Sequence, residues 1–366
     1  MNRHNLLDPR ILTIADLVEE GAKRVPQIYN GDGGAEEMTT VRDNVEAFDR
    51  YKLRPRILRD VDGVDVSSTI FGTDGPLGFA PAAAHKLAHP DGELATSRAA
   101  ATNNIPMALS SWSSESLEDV AAQGSGNPYI MQVTFFKDLS VTQMIIKRAE
   151  VSGYKAIFVS VDLPVLGRRL NEARNDFTFP RHVQFPNLNF PKSEGGRTPT
   201  LEEVDYDPTI IWDRNIAWLR AQTKMEIWLK GVYTAEDVEM AIHHKLDGVI
   251  ISNHGGRQLD GVPATLDALR ECAAAGRGRI PIAFDGGIRR GSDIFKAIAL
   301  GADFCFVGRI PVWGLAYNGE AGVDFAVKLL LQGLKQTMMF CGCRKISDIK
   351  KSHLSILTPD GVLSKL

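Results

Sequence analysis

Eight short apolar runs recur along the chain, and stretches with helical spacing separate each run from the next. They cover 77–80, 107–109, 129–133, 156–161, 226–229, 248–251, 282–284 and 304–307. Strands that are buried on both faces and alternate with helices indicate a parallel sheet, and eight such units close a barrel. An open doubly wound sheet would show the same alternation, but no Gly-x-Gly-x-x-Gly follows an early strand, which counts against a dinucleotide-binding fold. We therefore predict an α/β fold of the TIM (β/α)8 type.

The remaining sequence extends this barrel into a single domain over 1–366. The predicted parts are an N-terminal helical segment at 1–72, the barrel at 73–345 and a C-terminal tail at 346–366. Within the first part, helical spacing predicts helices at 11–25 and 36–50, and a short hairpin is expected at 56–72. The apolar stripe of the first helix consists of Leu12, Ala15, Leu17, Val18 and Ala22.

One interval, at about 168–212, breaks the alternation of strands and helices. It has little periodicity, and its prolines are Pro180, Pro186, Pro191, Pro199 and Pro208. A loop of this length inside a compact domain is typical of an active-site lid or of a disordered segment. Because the interval follows a strand that carries candidate site residues, we predict a lid after the fourth barrel strand.

Charge and cysteine content argue against several classes of protein. The formal net charge of −3 gives no reason to expect nucleic acid or an anionic membrane as a partner. The four cysteines lack zinc-binding spacing and, with no signal peptide, favour a reducing intracellular compartment. No apolar run is long enough to cross a bilayer. The tripeptide Ser364-Lys365-Leu366 matches a peroxisomal address, which predicts a peroxisomal import receptor as a partner.

The most informative strand end follows the run at 248–251. There the chain continues as Ser-Asn-His-Gly-Gly-Arg-Gln, which places His254 and Arg257 three residues apart. Histidine is suited to move protons near neutral pH, and arginine binds a carboxylate through two parallel hydrogen bonds. A lone His-x-x-Arg is more often an exposed loop than a site. The case for a base beside an anion clamp therefore depends on the other strand ends.

The other strand ends carry polar or small residues at the edge of the predicted barrel where active sites lie. These are Ala82, Ala83, Ser110, Trp112, Gln132, Thr134, Ser160, Asp162, Lys230, Asp285, Gly286, Gly287, Arg289, Gly308 and Arg309. Taken one at a time, several of these residues have ordinary structural explanations. Ser110 and Ser160, for example, suit helix N-caps. Together, the glycine N–H groups and arginines of the last two strand ends predict a phosphate site. With the amide and hydroxyl groups opposite, they describe a pocket for a phosphorylated planar cofactor.

Four motifs resemble a known family. They are Ser-Asn-His-Gly-Gly-Arg-Gln, Leu-Lys-Gly-Val-x-Thr-Ala-Glu-Asp, Asp-Gly-Gly-Ile-Arg-Arg-Gly and Ala-His-Pro-Asp-Gly-Glu. The chain is similar, over nearly its whole length, to the FMN-dependent 2-hydroxy acid oxidases and dehydrogenases, which include glycolate oxidase. The resemblance implies a TIM barrel with FMN at its mouth, oxidation of a 2-hydroxy acid to the 2-oxo acid, and a homotetramer.

The resemblance also implies a role for each matched position. His254 matches the catalytic base, Asp162 the carboxylate that orients it, and Arg257 and Arg169 the residues that bind the substrate carboxylate. Lys230 matches the cation beside flavin N1 and O2. Ser110, Gln132 and Ser160 match flavin-ring contacts, and Asp285, Gly287, Arg289, Gly308 and Arg309 match contacts to the ribityl phosphate tail. We expect Ala82, Ala83, Ser252 and Gly286 to complete the cofactor site, and Trp112 and Thr134 to line the substrate site.

Two positions depart from the family pattern. Family members place one substrate-binding tyrosine in an N-terminal Tyr-Tyr segment and another two residues after the flavin-contacting glutamine. This chain has Asn30 at the first position, with Tyr29 one residue away, and Thr134 at the second. Because the base, the clamp and the cofactor residues remain, we expect the same oxidation, with dioxygen as acceptor and hydrogen peroxide as product. The smaller Thr134 favours a substrate bulkier than glycolate, which is either a larger 2-hydroxy acid or a specialised metabolite. A different electron acceptor and an FMN-binding barrel without turnover are the alternatives.

Overall fold

Eight parallel strands close into a barrel, which confirms the predicted α/β fold. The computed structural model describes residues 10–25, 33–188, 204, 206–358 and 360–366. The strands are β1 (Tyr51–Leu53), the barrel strands β2 (Leu77–Phe79), β3 (Met107–Leu109), β4 (Tyr129–Val133), β5 (Ala156–Ser160), β6 (Glu226–Val232), β7 (Gly248–Ile251), β8 (Ile282–Asp285) and β9 (Phe304–Val307), and finally β10 (Leu354–Leu357) and β11 (Leu363–Lys365). Pairing of β2 with β9, in the register Leu77 to Cys305, closes the ring and rules out the open sheet.

Side chains of very different size fill the barrel interior. The indole of Trp228 occupies the space beside Gly248, where an added Cβ would lie 2.2 Å from the ring. Phe71 enters from the amino-terminal end of the strands, with its ring centroid 5.4 Å from that of Trp228 and 5.8 Å from that of Phe304. The interior is therefore a packed core, and the carboxyl ends of the strands are left for a ligand.

Helices surround the barrel. They are α1 (Ile14–Ala22), α2 (Thr39–Arg50), α3 (Gly92–Thr102), α4 (Leu117–Ala122), α5 (Leu139–Val151), α6 (Leu170–Arg174), α7 (Trp212–Gln222), α8 (Ala235–His243), α9 (Thr265–Gly276), α10 (Gly291–Leu300) and α11 (Arg309–Phe340). Helix α11 bends at Asn318 and Gly319, whose backbone angles are not helical. None of the helices in the described ranges is long and apolar enough to span a membrane.

The first helix forms close to its predicted position but buries a different face. Thr13 caps α1 and takes part in a capping box with Asp16. Leu17 is buried as predicted, whereas Leu12 of the predicted stripe is 52% exposed. Gly21 is buried instead, because a Cβ at that position would lie 2.8 Å from a carbonyl oxygen of α11. Close packing on α11 therefore decides which face of α1 is buried.

The predicted hairpin at 56–72 is wrong. Ser68 and Thr73 form a single antiparallel bridge, and a 3₁₀ turn at Ile70–Gly72 carries Phe71 into the barrel. The antiparallel pairing in this region involves β1, which pairs with β10, and β10 in turn pairs with β11. The predicted C-terminal tail is thus part of a three-stranded sheet that includes Ser364 and Lys365.

The interval predicted as a lid has more structure than its sequence indicates. It contains α6, and Val183 and Phe185 are almost fully buried. Asn187 accepts a hydrogen bond of 2.9 Å from the backbone N–H of Leu117. Residues 189–203 and 205 of this interval lie outside the described residues, as does Asn30. The lid itself therefore stays a prediction.

Candidate active site

A cavity of about 340 Å³ opens at the carboxyl ends of the barrel strands. Its volume lies in the range of small-molecule and cofactor sites, about 300–1,000 Å³. Every side chain predicted for the site lines this cavity, apart from Asp162 and Ser252. Those two hydrogen-bond to the lining residues His254 and Lys230. The structure thus brings the predicted residues together, while their individual roles remain predictions.

His254 and Asp162, predicted as a base and its orienting carboxylate, form a hydrogen-bonded pair. Nδ1 of His254 lies 3.2 Å from both carboxylate oxygens of Asp162. Burial, together with the nearby charges of Lys230 and Arg169, lowers the pKa of His254, and Asp162 opposes this shift. Burial raises the pKa of Asp162, but His254 and Lys230 outweigh it and the net pKa is lowered. The pair is therefore a neutral imidazole beside a carboxylate near neutral pH, with Nε2 left to accept a proton.

The loop that carries His254 is held by the segment before the barrel. His254 has a φ of +56°, which is uncommon outside glycine and is typical of strained functional positions. The side-chain amides of Asn253 and Asn44 of α2 exchange two hydrogen bonds of 2.9 Å. The N–H of Ala35 donates to the carbonyl of Gly256 over 2.8 Å. Helix α2 and the residues just before it thereby fix the conformation of the loop that carries the imidazole.

Two arginines face each other across one carboxylate. Nη2 of Arg257 donates to Oε1 of Glu172 over 2.8 Å, and its Nη1 donates to the carbonyl of Gly33 over 2.6 Å. Nη1 of Arg169 lies 3.7 Å from Oε2 of the same Glu172. Burial, followed by the charge of Arg257, lowers the pKa of Arg169 to about 10. The two arginines predicted to bind the substrate carboxylate therefore lie together, and in this structure both contact the internal carboxylate of Glu172.

Lys230 is almost fully buried at the base of the cavity. Its ammonium donates to Ser252 Oγ over 2.9 Å and lies 3.2 Å from Oδ2 of Asp285. Ser252 Oγ in turn donates to Oδ1 of Asp285 over 2.7 Å. This network holds a positive charge at a fixed place in the cavity wall, as the predicted position beside a flavin ring requires. It also places the carboxylate of Asp285 against Lys230.

The ends of β3, β4 and β5 form a second polar network. Oε1 of Gln132 accepts hydrogen bonds from the N–H and the hydroxyl of Ser111, at 3.1 and 3.3 Å. Its Nε2 donates to Ser160 Oγ over 3.1 Å. Ser110 Oγ accepts from the N–H of Trp112 over 3.1 Å. All are buried, so their positions are fixed before a ligand binds.

The ends of β8 and β9 combine glycines with arginines. Gly286 and Gly287 have φ of +115° and +78°, and Gly308 precedes α11, whose N-terminal N–H groups suit an anion. Gly287 has a second reason to lack a side chain, because a Cβ there would lie 1.9 Å from the carbonyl oxygen of Asn44. Nη2 of Arg309 donates to the carbonyl of Gly255 over 2.9 Å. The arginine thus lies beside the His254 loop.

These groups fit a planar cofactor that carries a phosphate. A flavin ring needs fixed hydrogen-bonding groups at its edge and a cation where negative charge collects, and the Gln132 network and Lys230 supply both. A phosphate needs N–H groups and guanidinium groups, which Gly308, Arg289 and Arg309 supply. The fold and this set of residues define the class of FMN-binding barrel oxidoreductases.

Comparison with known proteins gives the same result. The family model described as FMN-dependent dehydrogenase matches residues 22–356, and the chain belongs to this family. It is 48% identical over 366 residues to the oxidase FUB9 of Fusarium oxysporum f. sp. lycopersici, covering 98% of this chain and 95% of that protein. It is 43% identical to the peroxisomal (S)-2-hydroxy-acid oxidase GLO4 of Oryza sativa subsp. japonica, covering 88% and 89%. A solved structure of mandelate oxidase with (S)-4-hydroxymandelic acid matches with a TM-score of 0.88 at 33% identity, covering 97% and 100%. FMN as cofactor is thereby confirmed.

Several lining residues were not predicted from the sequence. Glu172 lies three positions after Arg169 on a short helix, a spacing that brings opposite charges together, so the sequence did contain a signal for it. Phe177, Phe179 and Tyr206 come from the irregular interval after β5. No periodicity marks these three residues, and their place in the cavity wall follows only from tertiary structure.

Proposed function

We propose that the protein oxidises a 2-hydroxy acid to the 2-oxo acid and passes the electrons to dioxygen, which yields hydrogen peroxide. The observation that carries this proposal is the pair Arg257 and Arg169 with the carboxylate of Glu172 between them, next to the base His254. Such a pair supplies a preformed place for a substrate carboxylate. A hydroxyl on the carbon next to that carboxylate then lies close to the imidazole of His254.

Each group has a separate role in the proposed reaction. Arg257 and Arg169 bind the substrate carboxylate in place of Glu172, which fixes the carbon that is oxidised. Nε2 of His254 takes a proton from the substrate, and Asp162 stabilises the imidazolium that forms. FMN supplies the two-electron acceptor when bound, and Lys230 stabilises negative charge beside it. The substrate loses two electrons and two protons in total, and dioxygen gains both as hydrogen peroxide.

Apolar walls support a substrate larger than glycolate. Phe177 and Phe179 line the cavity together with Leu163 and Leu166. Thr134, which replaces a bulkier tyrosine of the resembled family, lines it as well. An apolar substituent on the 2-hydroxy acid would be removed from water by these walls, at about 25 cal/mol per Å² of buried apolar surface.

A panel of 2-hydroxy acids tests the proposal. The purified holoprotein is mixed anaerobically with glycolate, lactate, 2-hydroxyisocaproate or mandelate, and flavin absorbance is followed before and after air is admitted. Bleaching, recovery in air and stoichiometric peroxide are expected, with larger acids preferred. Bleaching that air does not reverse would establish a different electron acceptor. No bleaching by any acid would refute the substrate class and leave an FMN-binding barrel without turnover.

Peroxisomal location and a homotetramer belong to the same proposal. The tripeptide Ser364-Lys365-Leu366 and the peroxisomal relative support import by a receptor. A fluorescent protein fused before residue 1 should enter peroxisomes, and deletion of the tripeptide should leave it outside. Sedimentation of the holoprotein at several concentrations tests the tetramer.

A further inference from the structure

A buried guanidinium in the cavity wall points to an anionic ligand. The side chain of Arg169 is 6% exposed, and among the described residues no hydrogen-bond acceptor satisfies its Nε. Its contact with Glu172, at 3.7 Å, is longer than a direct hydrogen bond. Buried donors in native proteins are nearly always paired, so this group is suited to a ligand that brings an acceptor.

Tyr206 lines the same cavity as this arginine and is close enough for the two groups to affect each other's pKa. Its backbone forms an antiparallel bridge with Phe136, and its ring stacks on the Phe136 ring with centroids 6.0 Å apart. The N–H of Asp207 donates to the carbonyl of Phe135 over 3.0 Å. These contacts hold residues 206 and 207 against the segment that follows β4. The tyrosine is 7% exposed and lines the cavity together with Arg169.

The phenol oxygen of Tyr206 accepts a hydrogen bond, so its own hydrogen can be donated. Burial raises the pKa of Tyr206 to about 12, against the opposing effects of Arg169 and a hydrogen bond with the Trp112 side chain. The indole of Trp112 can only donate, so the phenol oxygen accepts from it. The phenol is therefore protonated at neutral pH, and its own hydrogen is available for an acceptor in the cavity.

We propose that Tyr206 determines substrate specificity by donating this hydrogen to the substrate carboxylate that Arg169 binds. The inference rests on the proposed 2-hydroxy acid chemistry and adds a residue to it. The phenol reaches the carboxylate from the loop after β5, while the strand end beside it carries the small Thr134. The loop thus supplies the polar contact, and the space over Thr134 takes the apolar substituent of a bulky 2-hydroxy acid.

The test is a binding measurement that does not require turnover. The Kd of a 2-oxo acid, which cannot be oxidised at its 2-position, is measured on the holoprotein from the change in flavin absorbance. Tyr206→Phe should raise this Kd, and the KM of the matching 2-hydroxy acid, about tenfold, the size of one good hydrogen bond. The kcat should change less, because the base and its partner are untouched. Tyr129→Phe is the matched control, since Tyr129 is a buried phenol bonded to Ser97 outside the cavity.

A second variant separates loss of the hydrogen bond from loss of loop structure. Thr134→Tyr added to Tyr206→Phe returns a phenol to the cavity from the neighbouring strand end and should recover most of the lost affinity for a small 2-oxo acid. An unchanged Kd in Tyr206→Phe would overturn the inference, as would an equal loss in the Tyr129→Phe control. If the wild type oxidises 2-hydroxy acids and Tyr206→Phe binds the 2-oxo acid with an unchanged Kd, only the role of Tyr206 is refuted. A wild-type protein that binds 2-oxo acids through Tyr206 but oxidises nothing would refute only the proposed function.

Discussion

Replacement of Asp162 by Asn tests whether this carboxylate strengthens the base. The variant removes a negative charge 3.2 Å from Nδ1 of His254 and keeps the size of the side chain. Two opposite unit charges at that distance attract by about 5 kcal/mol at an effective dielectric of about 20, which is an upper limit. A hydrogen bond to a charged group contributes about 1.5–3 kcal/mol in proteins. We therefore expect kcat/KM to fall about 10- to 150-fold.

The assay is anaerobic flavin reduction by substrate, followed with saturating and with low substrate. FMN content and the Kd of a 2-oxo acid should stay unchanged, because Asp162 lies behind His254. The acidic limb of kcat/KM should move to lower pH, since the charge of Asp162 raises the pKa of His254 and the variant lacks it. Asp60→Asn is the control, because Asp60 lies 3.2 Å from Arg344 in an exposed pair far along the chain from the site.

The result that would refute this reasoning is a loss of less than about threefold with FMN fully bound. Asp162 would then hold the loop in place without making His254 a stronger base. A loss accompanied by release of FMN would instead show that the carboxylate supports the cofactor site. A shift of the acidic limb to higher pH would contradict the sign of the electrostatic argument.

Three further variants test the base, the phosphate site and the pocket. His254→Ala should keep FMN but slow flavin reduction by at least about 100-fold in stopped-flow absorbance, since a placed base contributes about 10²–10⁴. Arg289→Ala and Arg309→Ala should lose FMN on dialysis, while the fraction that retains it is reduced by substrate at a nearly normal rate. Thr134→Tyr should raise the kcat/KM ratio of small over bulky acids about tenfold, by filling space and returning a hydroxyl.

Each of these expectations has a contrary outcome. A loss of only a few-fold in His254→Ala would mean that another group takes the proton. Full FMN retention by both arginine variants would place the phosphate elsewhere. An unchanged substrate ratio in Thr134→Tyr, with normal FMN content, would show that the position does not limit the size of the substrate.

The sequence predicted the barrel and the cofactor site because both depend on local patterns. A strand buried on two faces is a continuous apolar run, and parallel strands end at one edge, so residues such as Gln132, Lys230 and Asp285 had to meet. The face of α1 was predicted wrongly because its burial depends on contact with α11, at the other end of the chain. The hairpin at 56–72 was predicted wrongly because the insertion of Phe71 into the barrel has no local signature.

The substrate end of the site could be predicted only in part. Arg257 and Arg169 were found through the strand ends and the resemblance, but Glu172 and Tyr206 come from the irregular interval after β5. The sequence of an irregular loop has no periodicity, so it does not indicate which side chains face the cavity. Its contribution is determined by tertiary contacts, such as the stacking of Tyr206 on Phe136. Such contacts join segments that are far apart in the sequence, so no local pattern predicts them.

The charges around His254 imply that substrate binding itself strengthens the base. The positive charge of Arg169 contributes to lowering the pKa of His254 in the free protein. A substrate carboxylate bound to Arg169 offsets that charge, so the pKa of His254 should be higher in the complex. Because kcat/KM reports the free enzyme and kcat the complex, the acidic limb of kcat/KM should lie below pH 6.5, the ordinary histidine value, and that of kcat at higher pH. Arg169→Met should bring the two limbs together. Coincident limbs in the wild type would show that the carboxylate binds too far from Arg169 to affect the imidazole.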